Sequence, residues 1–429
     1  MKVLQKTILI MLLAGIISLS ACKKTDTAVV SDVTPKQIYY DIESIKIDIS
    51  SAGSAVKHLY DPEPFVKLQE EVLEGKLSRQ EIVYRLQKII AAYNCTHLSF
   101  FDLTAGSEEN GITKASPLEF GCFGNDFYVT RAALKYSKYL GWKLTGIGDY
   151  SAAEAIDKVG EYIPSETPAG KKYNLLRLYY YEDYVYYGFT KNGKLQFSLE
   201  SSEGKTKILT CRPSIPKKTF YVSLKPVTDT PFSVPVLRNR NYGIKPVPEN
   251  KTLYIPFNSV RDSYEYSINN WISDLIQELN EHTYKTIVFD VRYNSGGKVY
   301  DMIKISSLLY EHKEELEKYN IAVIASGRTY SAACTFIDEM LRIFPHVKIF
   351  GEETGQAVLN YTAVHPQTLK RLNCHFAYPT QIDNVPQLTM RSTDTSRGTF
   401  PDVEILETFE GYLKGEDAVY KAIYEYYKE

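Results

Sequence analysis

The chain has 429 residues, 44% hydrophobic and 24% charged, enough apolar material for two or three cored domains, which excludes disorder, a collagen repeat and a small disulfide scaffold. Lys plus Arg number 50 against 52 for Asp plus Glu, a formal charge of −2, so no global field attracts nucleic acid or steers an acidic ligand. Function must sit in a local site. Tyrosine is in excess at 35 residues; it suits a pleated sheet with one wet face, and a surface for peptide or sugar is the sharper alternative.

Lys2 and Lys6 precede an apolar run from Ile8 to Ile17, too short to span a bilayer and suited to a secretory leader. The run ends at Leu19-Ser20-Ala21-Cys22, which resembles the bacterial lipobox. That resemblance implies a signal peptide at 1–22, lipidation of Cys22, and a polar tether at 23–35. Lipid is then the expected membrane anchor, and the cell envelope, at the periplasmic or surface side of an outer membrane, the expected location. The cysteines at 95, 122, 211, 334 and 374 lack the pairing of a disulfide framework and the spacing of a metal site. With no phosphate loop and no basic stripe, neither cofactor, metal nor nucleic acid is expected.

Residues 36–115 read as a helical domain. Ser78-Arg79-Gln80-Glu81 has capping-box form, and Ile82, Val83, Leu86, Ile89, Ile90 and Tyr93 follow as one apolar stripe. Cys95-Thr96-His97 then leads into a strand-like segment from Leu98 to Phe101. Residues 116–225 read as β-rich, with one helix opening at a second capping box, Ser151 to Glu154. Strands are expected at Tyr184 to Thr190 and Lys194 to Leu199 about the hairpin signal Asn192-Gly193, and at Lys205 to Cys211. The stretch from Pro213 to Pro248 reads as a connection.

Within residues 226–429, buried strands at 253–257, 286–291, 321–325 and 347–350 alternate with helices at 268–279, 299–310 and 331–343, the pattern of parallel βαβ units covered by helices. The fold class is therefore a multidomain α+β protein with an α/β core. In such cores ligands sit beyond the carboxyl ends of the strands. Two strand ends there are unusual. One opens at Asp290-Val291-Arg292-Tyr293-Asn294-Ser295-Gly296-Gly297, where glycines let backbone approach a reacting atom. The other runs through Ser326-Gly327-Arg328-Thr329-Tyr330-Ser331-Ala332 into a helix, placing a hydroxyl beside free N–H groups. Taken singly, the serine is an N-cap and the glycine pair a turn.

Together, in this order, with Gly351 to Thr354 and Pro401-Asp402-Val403-Glu404-Ile405 following, they resemble the C-terminal-processing, or tail-specific, serine peptidases, including their tricorn-core branch. The resemblance implies a crotonase-like peptidase core and a PDZ-like middle domain. It also implies an acyl-enzyme on Ser331, with Gly296 and Ala332 amides as oxyanion donors and a peptide or protein as substrate. The processing branch carries a lysine base about twenty-five positions after the serine, where this chain has Gln356. The tricorn-like branch places a histidine far upstream after a small polar residue, a context matched by Thr96-His97-Leu98, so His97 is the implied base. Thr96 is the candidate to orient it or a neighbouring acid. The position expected to carry the acid holds Thr395, which leaves Asp394 as the neighbouring candidate. Two alternatives stand beside this reading: an inactive peptide-binding lipoprotein on the same scaffold, and an acyl-thioester enzyme, against which the secretory leader argues. The oligomeric state is left open.

Overall fold

The computed structural model describes residues 33–104, 113–227, 230, 232–233, 240–384 and 394–428. The leader, Cys22 and most of the tether lie outside the described residues. Among those residues, no helix is long and apolar enough to cross a membrane.

Three helices open the chain: Pro35–Ser50, Glu63–Leu73 and Arg79–Ala91. Ser78 caps the third as anticipated, its side chain accepting from Glu81 N–H while Glu81 reaches back to Ser78. Ile42, Ile45 and Ile49, Phe65, Leu68 and Val72, and Ile82, Leu86 and Ile90 meet in one buried cluster, the outcome of apolar residues repeating at three and four. The strand Ser99–Asp102 follows and pairs antiparallel with Cys374–Asn384, half of a long hairpin with Leu359–Leu369. Sequence did not foretell this hairpin. Its strands contain Pro366 and Pro379, and proline removes a ladder donor and demotes a strand reading. Leu369, Leu372, Cys374 and Phe376 carry the hairpin into the N-terminal cluster, joining the C-terminal part of the chain to the strand that follows His97.

The middle sheet runs in the order Leu118–Phe123, Asp126–Ala133, Lys143–Ile147, Lys194–Glu200, Thr190–Lys191, with Thr206–Cys211 added beside Lys194–Glu200. Asn192 and Gly193 both take positive φ, 51° and 67°, as a type I′ hairpin turn demands. The strand expected from Tyr184 is instead the helix Tyr181–Tyr186, with only Thr190–Lys191 extended. Tyr186 stacks on Tyr84 with centroids 4.1 Å apart, Tyr84 donates to Asp183 at 2.7 Å, and Tyr184 is buried. Packing here overrides a β propensity that is only weakly intrinsic.

The C-terminal sheet has the order Lys245–Val247, Thr252–Pro256, Thr286–Asp290, Asn320–Ala325, Lys348–Gly351, Val403–Glu404, parallel throughout except for its first pair. Helices Ile268–Glu281, Val299–Glu311 and Ala332–Ile343 cover one face and Ala418–Tyr427 the other. Both faces are buried, which explains the continuous apolar strands.

Candidate active site

The loop leaving Asn320–Ala325 is sewn to the turn leaving the neighbouring strand. Ser326 Oγ donates to Arg292 O at 2.5 Å, Thr329 Oγ1 to Val291 O at 2.9 Å and Tyr330 N–H to Asn294 O at 3.1 Å. The turn is itself pinned, because Arg292, almost fully buried, pairs with Asp290 at 2.9 Å and with Glu407 and Asp417 at 2.6 Å. Ser331 has φ 53° and ψ −130°, and Ala333 N–H donates to Tyr330 O at 3.1 Å. Those angles belong to the first central residue of a type II′ turn, a position that favours glycine. Holding serine there costs on the order of 1–3 kcal/mol, strain of a kind that clusters at functional sites.

Ser331 occupies the N-cap position of Ala332–Ile343, yet its side chain makes no capping bond. The hydroxyl instead lies 3.2 Å from His97 Nε2. His97 stands in a turn closed by Leu98 N–H donating to Cys95 O at 3.1 Å, between the helix Arg79–Ala91 and the strand Ser99–Asp102. Burial lowers its pKa from 6.5 to about 4, so the imidazole is neutral at physiological pH, as a proton acceptor must be. His97 Nδ1 is buried and has no partner among the described residues. Asp394 lies elsewhere and is exposed, its carboxylate accepting from Ser396 N–H at 2.9 Å and Ser396 Oγ at 2.5 Å. No bond joins it to His97.

Gly296 has φ 100°, and a Cβ added there would stand 2.6 Å from Ser331 Cβ, 2.9 Å from Tyr330 O and 3.0 Å from Ala332 N. The turn thus touches the nucleophile only because this residue has no side chain. Its own N–H, named from the sequence as an oxyanion donor, is occupied by Asn294 Oδ1 at 2.9 Å. Ala332 N–H and the next amide of the turn, Gly297 N–H, have no acceptor among the described residues. Gln356 fills the place where a lysine base was sought, and its Oε1 accepts the N–H of Ser331.

Thr96 binds a group that sequence did not single out. Its N–H and Oγ1 donate to Glu166 Oε1 at 2.9 and 2.5 Å, while Ala357 N–H donates to Glu166 Oε2 at 3.1 Å. Burial raises the pKa of this carboxyl against the pull of those donors. One carboxylate of the middle domain therefore ties the turn that carries His97 to the residue after Gln356. Among the described residues no group of three or more His, Cys, Asp or Glu side chains is placed to hold a metal ion.

Residues 251–318 match peptidase family S41. The match includes the glycine turn and ends before Ser331. Among solved structures, the chain is similar to mature CPAF complexed with lactacystin, at 11% identity and TM-score 0.62, over 92% of this chain and 98% of that one. It is likewise similar to mature CPAF alone, at 12% identity and TM-score 0.60, over 92% and 96% of the two chains. At such identities the likeness is one of fold. The photosystem II D1 C-terminal processing protease is more remote, at 13% identity and TM-score 0.39, over 87% and 94%. No curated protein matches significantly. The family match, together with the shared fold, supports an S41 peptidase and hence a peptide or protein substrate.

The geometry of this site makes two predictions. Gly296→Ala must displace Ser331 or Ala332, so kcat/KM should fall by about 10²- to 10³-fold, comparable to losing an oxyanion donor; steady-state kinetics on a folded variant checks it. Glu166→Ala leaves the Thr96 and Ala357 donors unpaired, each orphan costing about 1–3 kcal/mol where buried. Its melting temperature should drop, and kcat/KM should fall by about 10- to 100-fold as His97 drifts from Ser331. A Glu166→Gln variant, which keeps an acceptor oxygen, should recover part of both.

Proposed function

We propose that the protein is a serine endopeptidase that acylates on Ser331, with His97 as general base, on a crotonase-like core carrying a PDZ-like middle domain. Neutral His97 takes the proton of the Ser331 hydroxyl as it attacks a peptide carbonyl. Ala332 N–H and Gly297 N–H receive the oxyanion, while Gly296 serves through its missing side chain. His97 then protonates the leaving amine and later activates the water that frees the acid. Because Nδ1 of the ring meets no acid among the described residues, the imidazole is steered by its turn and by Glu166 through Thr96 rather than by a carboxylate of its own. We place the enzyme in the cell envelope of a bacterium, held by lipid on Cys22, as a tail-specific processing peptidase.

The observation that carries this reading is the uncapped, left-handed Ser331 with its hydroxyl 3.2 Å from a histidine 234 residues away. A fluorophosphonate probe tests it. The wild type should label covalently, and Ser331→Ala and His97→Ala should not. Absence of labelling across a range of pH would leave the scaffold as a peptide binder.

A further inference from the structure

Arg328 stands three residues before Ser331. Its main chain is fixed, since Arg328 N–H donates to Ser326 Oγ at 3.1 Å and Thr329 N–H to Ser326 O at 2.9 Å. The guanidinium carbon lies 5.0 Å from the ring centroid of Tyr293 and 6.0 Å from that of Tyr173. Aromatic faces hold a guanidinium by cation–π attraction and leave its in-plane N–H edges available.

Several other arginines meet carboxylates: Arg292 has three, Arg79 pairs with Asp102, Arg131 with Glu119 and Arg397 with Glu353. The guanidinium of Arg328 has neither hydrogen-bond acceptor nor ion-pair partner among the described residues, although it is partly buried. Nearby carboxylates are already engaged. Glu352 takes Lys172 and, at 2.6 Å, the hydroxyl of Tyr173; Glu407 takes Arg292 and, at 3.3 Å, the hydroxyl of Tyr293. Those two acids anchor the tyrosines that flank Arg328. A positive fork is thus held in place, and its donors remain open to an incoming acceptor.

Resting on the peptidase reading and deepening it, we propose that Arg328 is a specificity residue that binds a carboxylate of the substrate near the scissile bond. Three residues of chain span at most about 11 Å, and an extended substrate advances by roughly 3.3 Å per residue. The arginine side chain adds its own reach, so the carboxylate falls within a few residues of the cleaved bond. It belongs to an Asp or Glu side chain or to the free end of the substrate chain.

The test uses internally quenched peptide pools with Glu or Gln fixed at one position in a random background, each pool made as the free acid and as the carboxamide. Wild-type kcat/KM should favour one acidic form by about 10- to 100-fold, the scale of a charge-assisted hydrogen bond. A preference that follows Glu over Gln assigns the side chain, and one that follows acid over amide assigns the chain end. In Arg328→Gln the ratio should collapse to about one, mainly through KM, and Arg328→Lys should retain part of it. A wild type indifferent to acid, or an Arg328→Gln variant that loses the same factor on every pool, overturns the proposal. Fluorophosphonate labelling of Ser331 keeps the two readings apart. If the wild type neither labels nor cleaves, the peptidase reading fails, and the same pools carrying a fluorophore are titrated by anisotropy. Acid-selective binding that Arg328→Gln abolishes upholds the carboxylate site, and unselective binding removes it.

Discussion

Ser331→Ala is expected to lower kcat/KM for peptide hydrolysis by on the order of 10⁴- to 10⁶-fold, the range seen when a serine nucleophile acting as a unit with its base is removed. The loss should not come from a collapsed fold. The Ser331 hydroxyl caps no helix, and alanine meets the same backbone strain at φ 53°, so stability should change by less than about 1 kcal/mol. Turnover and thermal denaturation measured on the same preparation separate the two effects. Undiminished hydrolysis would remove Ser331 from the mechanism.

The second large effect belongs to His97. His97→Ala should cost about as much as the serine variant, and the double variant little more, because two groups that share one proton transfer are not additive. Its pH dependence is distinctive. Burial holds the imidazole near a pKa of about 4, so kcat/KM in the free enzyme should rise through an acid limb near pH 4 and stay flat through neutrality, whereas a solvated histidine would place that limb near 6.5. Stability should carry the same signature. The folded-state pKa lies below the unfolded one, so the unfolded chain binds the extra proton at intermediate pH. The contribution is complete above about pH 6.5 and is lost as pH falls toward 4. Denaturant titrations of wild type and His97→Gln at pH 5 and pH 7.5 test it: the wild type should lose more stability on acidification than the variant.

Much of the site was legible as two local patterns. A buried strand opening into Gly296-Gly297 and a strand running through Ser331 into a helix are each decided within about ten residues. Family resemblance put a name to their combination. The choice of His97 also came from the resemblance, and the structure brings that histidine to the serine. Three further contacts left no usable mark. Ser165-Glu166-Thr167 precedes the short helix Pro168–Tyr173, and nothing in these residues tells that Glu166 will accept from Thr96 and Ala357. Gln356 is legible as the wrong residue for a base, but not as the acceptor of the Ser331 N–H. The exchange of Gly296 for Gly297 as the open amide turns on one hydrogen bond to Asn294.

Sequence by itself determined the helices that open at Ser78 and Ser151, the Asn192-Gly193 turn and the alternation of buried strands with amphipathic helices. Caps, turns and apolar periods are settled by neighbours a few residues apart. Only the tertiary structure decided that His97 meets Ser331. That approach depends on the register of Ser99–Asp102 against Cys374–Asn384 and on one buried carboxylate from the middle domain. Pairings across hundreds of residues are won by burial and loop closure in the assembled chain, and no local window contains them.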